Sequence, residues 1–138
     1  MPELKFETGL VTYTLNGACK VTFNPTDLAF AERICNVFDA LDEKQKAYEK
    51  EKDMADEREL FDTRRKYDAE MRAMIDDVFG TPVCDALFGK MDVYAFGDGL
   101  PAWCNLLLAV MDEIQIKFEQ EQKLTNPRIA KYTSKYHK

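Results

Sequence analysis

The residues that could carry chemistry in this chain are few and poorly spaced for it. Its single histidine, His137, stands next to the last position. A nucleophile–imidazole–carboxylate relay needs its base held inside a fold, so no such triad is expected within one chain. The four cysteines, Cys19, Cys35, Cys84 and Cys104, form no CxxC pair and have no histidine at short spacing. That removes the usual zinc arrangements and leaves four reduced, mostly buried thiols. Acidic pairs are plentiful: Asp76 with Asp77, Asp39 with Glu43, Asp112 with Glu113. General acid–base work needs two carboxylates held across a cleft in unlike environments, whereas these fall on expected polar helix faces. Asp92, Asp98 and Asp112 could be imagined around a divalent cation, but the run DVYAFGDG lacks the alternating ligands of a calcium loop, and turn formation accounts for its aspartates. GxGxxG, P-loop, HExxH and GxSxG patterns are all missing from the sequence. The chain reads as a non-enzyme, with no catalytic residue, metal ligand or cofactor assigned.

Recognition is better provided for. Tyr94 and Phe96 stand beside Gly97-Asp98-Gly99, where two aromatics either plug the edge of a core or present themselves to a partner. Residues 123–138 carry Lys123, Arg128, Lys131, Lys135 and Lys138 and no acid, a charge of +5 in a chain of net charge −6, which leaves −11 for residues 1–122. Ile129, Tyr132 and Tyr136 could share one side of a short helix there. Such a tail could cover an acidic surface of its own subunit or of a neighbour, or could have no partner. Lysines interleaved with tyrosines also fit nucleic acid. The acidic body and the absence of helix-turn-helix spacing argue against nucleic acid as a partner.

The elements that must position these residues follow from composition and period. With 138 residues, 46% hydrophobic and 32% charged, the chain is expected to form one domain with a real core. Residues 1–122 are taken as that domain, with a β-hairpin region at 1–23 and a helical body at 25–122, and 123–138 as the basic tail. Asn16-Gly17 between LVTYTL and ACKVTF predicts a hairpin, because both turn residues tolerate positive φ. Residues 3–8 could add a strand. Asn24-Pro25 reads as a helix start. Leu28, Ala31, Ile34 or Cys35, Phe38, Leu41 and Tyr48 then trace one apolar stripe. A connection is placed near residues 53–57, and a second helix over about 57–78 makes a helical hairpin with the first; one long self-pairing helix is the alternative. Asp42–Lys46, Asp62–Lys66 and Asp68–Arg72 are spaced for ion pairing along a helix. Thr81-Pro82 opens a short helix that stops at Gly89. The last strong helix starts near Leu100-Pro101, and its Trp103, Leu106, Leu107, Val110, Met111, Ile114 and Phe118 exceed one narrow stripe, as expected at a domain centre or an interface. The fold class is α+β, mostly α: an N-terminal β-hairpin, about four helices and a basic tail. No apolar run approaches a membrane span and no signal segment is visible, so a cytoplasmic protein without membrane contact is expected.

The segments KVTFNPTDLAFAERICNVFDALDEKQ, RRKYDAEMRAMIDDVFGTPVCDALFG, DGLPAWCNLLLAVMDEI and TNPRIAKYTSKYHK together resemble a small protein family of tailed phages and prophages of gut Firmicutes. Its members sit among tail genes ahead of the tape-measure gene and are similar in size and element order to tail assembly chaperones. The resemblance implies a protein in the host cytoplasm that binds the helical tape-measure protein or tail-tube subunits and multimerises. It carries over no catalytic residue. An apolar groove for a client helix would suit that role. Tyr94, Phe96, Trp103, Leu107, Val110, Met111 and Ile114 are its candidate lining. Arg128, Lys131, Tyr132 and Lys135 are candidate contacts of the tail with a neighbouring subunit, in a homo-oligomer. A structural tail-completion or connector subunit, and a small phage regulator or host-factor inhibitor, are the alternatives.

Overall fold

The computed structural model describes residues 1–124 and 126–136, with the backbone alone for 134–136. Strands β1 (Val11–Leu15) and β2 (Cys19–Phe23) pair antiparallel, from Val11 opposite Phe23 to Leu15 opposite Cys19. Asn16 and Gly17 take φ of 51° and 66°, as the tight turn demands. A two-stranded ribbon is marginal in water, so its apolar face must dock. It does so through aromatics: Tyr13 stacks on Phe23 at 4.8 Å between ring centroids, and Phe23 on Phe30 at 4.5 Å. The other face carries a Thr12–Thr22 hydroxyl pair at 2.8 Å. The strand expected at residues 3–8 is not formed. Gly9, at φ 76°, turns the chain away from the line of β1, and a Cβ there would meet the Asn24 amide nitrogen at 2.5 Å. Residues 1–10 form an arm without strand pairing, and its Leu4 and Phe6 are exposed.

Helix α1 (Leu28–Met54) starts later than its sequence implies. Asn24 uses its Oδ1 to accept from the backbone N–H and hydroxyl of Thr26, both at 2.8 Å, which makes a side-chain turn before the helix. The cap is Asp27, which accepts from the Ala29 N–H at 3.0 Å. The buried stripe runs Phe30, Ile34, Leu41, Gln45 and Tyr48. It shares Ile34, Leu41 and Tyr48 with the expected one, but Phe30 takes the inward place and Leu28 stays exposed.

The chain breaks at Ala55-Asp56, inside the expected connection. Asp56 accepts from the Glu59 N–H and Glu59 reaches back to the Asp56 N–H, a reciprocal cap that starts α2 (Glu57–Phe79) afresh. Two helices are therefore present, not one long one. They pack as an antiparallel hairpin held by Lys44–Glu70 at 2.7 Å, by the Tyr67 hydroxyl donating to Glu51 at 2.8 Å, and by Tyr48 edge-on to Tyr67. Two of the three anticipated helical ion pairs form, Asp42–Lys46 and Asp68–Arg72; Asp62 pairs with Arg65, one residue nearer than Lys66.

Gly80 ends α2 in the left-handed conformation. The short α3 (Cys84–Phe88) is capped from a distance: the Asp76 carboxylate accepts from the Val83 and Cys84 N–H groups at 2.8 and 3.0 Å, a task expected of Thr81. The following loop contains a miniature ribbon, β3 (Phe96–Gly97) with β4 (Leu100–Pro101). Helix α4 (Ala102–Lys123) and helix α5 (Arg128–Tyr136) complete an α+β, mostly α fold, with five helices among the described residues. Among the described residues, no helix is long and apolar enough to cross a membrane.

Candidate functional site

Helices α1 and α4 run antiparallel. Late in α1, Gln45 accepts at 3.0 Å from the indole N–H of Trp103, early in α4, and Phe38 meets the Trp103 ring edge-on at 5.2 Å. The Gln45 amide also donates to Glu49 at 3.1 Å, so this buried side chain is satisfied on both sides. This end of the seam is closed. Toward the start of α1 and the end of α4 the residues on α1 become small, Ala31 and Cys35, and the space between the helices is not filled. The result is an open groove of about 540 Å³ lined by Leu28, Ala31 and Cys35 from α1 and by Met111, Ile114, Gln115, Phe118 and Glu119 from α4. Leu28 is 68% exposed at its mouth. A second hollow, against Thr26, Phe118, Glu121 and Gln122, lies beside it. Chemically the groove is an apolar trough with an acidic edge, a surface that can hold the apolar side of a helix.

The segment between α2 and α4 is fastened down in another way. Arg72 of α2 hydrogen-bonds Asp68 at 2.8 Å, Asp85 at 3.0 Å, and the Gly89 and Met91 carbonyls at 2.7 Å each. Asp68 also accepts from the Val93 N–H at 2.8 Å, and Arg64 pairs with Asp92. These bonds tie α3 and the loop after it onto α2. Asp92 and Asp98, imagined as cation ligands, serve this pairing and a tight turn at φ 56° respectively. Among the described residues, no group of three or more His, Cys, Asp or Glu side chains is placed to hold a metal ion.

The candidate lining divides in two. Met111 and Ile114 line the groove. Tyr94, Trp103, Leu107 and Val110 are buried in the chain's own core and do not line the groove. The cause is the width of the apolar face of α4: its inner part is consumed by α1, and only its later outer part is left over. Tyr94 stacks within 4.2 Å of Tyr48 and donates its hydroxyl to the Arg64 carbonyl at 2.9 Å. Burial, and then the charge of Asp92, push its phenol above the usual range. Phe96 is exposed but does not line the groove. It pairs with Pro101, ten residues before Met111, or about 15 Å along α4.

Leu28, Ala31, Cys35, Gln115, Phe118 and Glu119 are the groove residues absent from the candidate lining. The first three recur at helical spacing and were assigned to the core stripe; the missing signal was Phe30, whose bulk takes the inward position. The cysteines divide likewise. Cys84 and Cys104 are buried, Cys19 is half-buried, and Cys35 is exposed in the groove, against the expectation of mostly buried thiols. Burial pushes the Cys84 and Cys104 thiols up, helped by the charges of Asp76 and Asp42 respectively.

In the tail, Arg128, Lys131 and Tyr132 are exposed on α5, with the Lys131 ammonium 5.7 Å from the centroid of the Tyr132 ring. The Lys135 side chain, and His137 and Lys138 entirely, lie outside the described residues. No protein-family model, curated protein or solved structure matches this chain.

Proposed function

We propose that this protein binds other proteins, as a tail assembly chaperone-like factor that receives an amphipathic helix of the tape-measure protein in the α1–α4 groove during virion assembly in the host cytoplasm. The observation that carries the reading is the groove itself: an apolar trough between two long helices, wide enough for side chains and left open among the described residues. A client helix would lay residues at i, i+3, i+4 and i+7 along it. A holding factor also needs to release its client, which an open groove with partly solvated walls permits. The phage setting and the identity of the client rest on the family resemblance.

Co-expression with the neighbouring tape-measure protein, followed by affinity capture and light scattering, tests the reading. The expected result is a soluble complex with a tape-measure protein that is insoluble when made alone. Failure to form it overturns the reading.

A structural tail-completion subunit is the second reading, favoured by the unpaired N-terminal arm with its exposed Leu4 and Phe6. Such a subunit persists in mature particles, whereas a chaperone is absent from them, so mass spectrometry of purified particles separates the two.

A further inference from the structure

We propose that the α1–α4 groove of one molecule is occupied by α5 of a second copy, which caps it until a client displaces the helix. The proposal rests on reading the groove as a helix-binding surface, but it concerns a different occupant and needs no client to test.

Two observations specify the occupant. The first is shape. Ile129 and Tyr132 lie three apart on α5, hence on one side of it, and both are exposed, at 74% and 50%. Among the described residues nothing covers Ile129 and Tyr132 on that side of α5, and no helix occupies the groove. The second is charge. Residues 123–138 contain five cations and no acid. The groove has Glu119 in its wall and Glu121 in the adjoining hollow. Exposed Glu32 and Asp112 stand next to lining residues, Ala31 and Met111. Arg33 and Lys117 are the only cations in the stretches of α1 and α4 that bound it, 28–35 and 111–119. A basic helix is thus drawn to this groove, and an acidic one is repelled.

A tail on one surface meeting a groove on another is a head-to-tail contact, so it propagates from copy to copy instead of stopping at a two-fold dimer. That geometry makes the test specific. Leu28→Asp disables the groove; the residue is mostly exposed at the first helical position, so the fold tolerates the change. Ile129→Asp with Tyr132→Asp disables the tail, again at exposed positions. Sedimentation equilibrium of the wild type should show association that rises with concentration and weakens with salt. Each variant alone should associate at least about tenfold more weakly. An equal mixture of the two should form a 1:1 dimer and nothing larger, because one intact tail then meets one intact groove. A wild type that stays monomeric with α5 protected from hydrogen exchange on its own groove overturns the proposal. So do variants that assemble like the wild type, and a mixture that stays monomeric. If Leu28→Asp loses self-association and client together while the tail variant retains both, the groove reading stands and the α5 proposal falls.

Discussion

Helix α1 packs against both α2 and α4, and the two seams are finished differently. Along the α2 seam long polar side chains reach across, Lys44 to Glu70 and Tyr67 to Glu51, and Arg72 then fastens α3 and its loop to α2. Along the α4 seam the contact closes around Trp103 and Gln45 but opens where Ala31 and Cys35 face Met111 and Ile114. What differs is the space each leaves: a hollow of about 320 Å³ edged by Arg33, Asn36 and Asp77 between α1 and α2, and a larger one of about 540 Å³ lined mainly by apolar and small residues between α1 and α4. Apolar surface that is neither polar enough to repel a partner nor filled by its own chain is where an interaction site belongs.

The contrast can be broken from the buried core first. Leu107→Ala, at a fully buried position of α4, should cost about 3 kcal/mol in chemical denaturation. Arg72→Ala should cost about 2 kcal/mol, since it strands two carbonyls and Asp68 while the exposed Asp85 loses little. Hydrogen exchange should show the loosening in residues 84–93 and not in the groove.

Next comes the open side. Leu28→Asp should leave stability within about 0.5 kcal/mol yet weaken client capture at least about tenfold, as read by titration calorimetry. A loss of stability comparable to that of Leu107→Ala would mean that the groove is a core defect and not a surface.

A titration separates the regions further. Cys84, Cys104, Tyr67 and Tyr94 are raised above their ordinary values, principally by burial. Their protonated forms are the ones the fold favours. Their contribution is complete below the unfolded-chain values, about 8.5 for a thiol and 10 for a phenol, and is lost as pH rises beyond them. Denaturation midpoints should therefore decline above about pH 8.5, and Cys84→Ala with Cys104→Ala should delay the decline toward about pH 10. The smallest effect is expected of Phe96→Ala, which should change neither stability nor client capture beyond measurement scatter.

How much of this could be read from residues alone varied with the range of the interactions. Local rules sufficed for the hairpin, where Asn16-Gly17 dictates the turn, and for the break near residues 53–57, where charged residues crowd and the apolar stripe thins. They failed at α1's start and at α3, because caps are chosen by geometry: Asn24 was diverted into a turn with Thr26, and Asp76 reached the amides of α3 across seven residues. The groove was half legible. Excess apolar residues on α4 marked that helix as having surface to spare. Which residues would be spare depended on how Phe30 and the hairpin aromatics divided the interior of α1, and that is a long-range packing outcome. The tail's charge was plain in the sequence; that Ile129 and Tyr132 stay exposed needed the structure.

Cys35 provides the most direct test of the groove as a binding surface, since it lines the groove and is the exposed cysteine of the four. The measurement is the rate of Cys35 alkylation, followed by mass spectrometry, in the tape-measure complex and in Leu28→Asp free of client. The account predicts rapid modification in the free variant and at least about tenfold protection in the complex, with Cys84 and Cys104 slow in both. Equal Cys35 rates in a complex shown to be intact would contradict it and place the client elsewhere on the molecule.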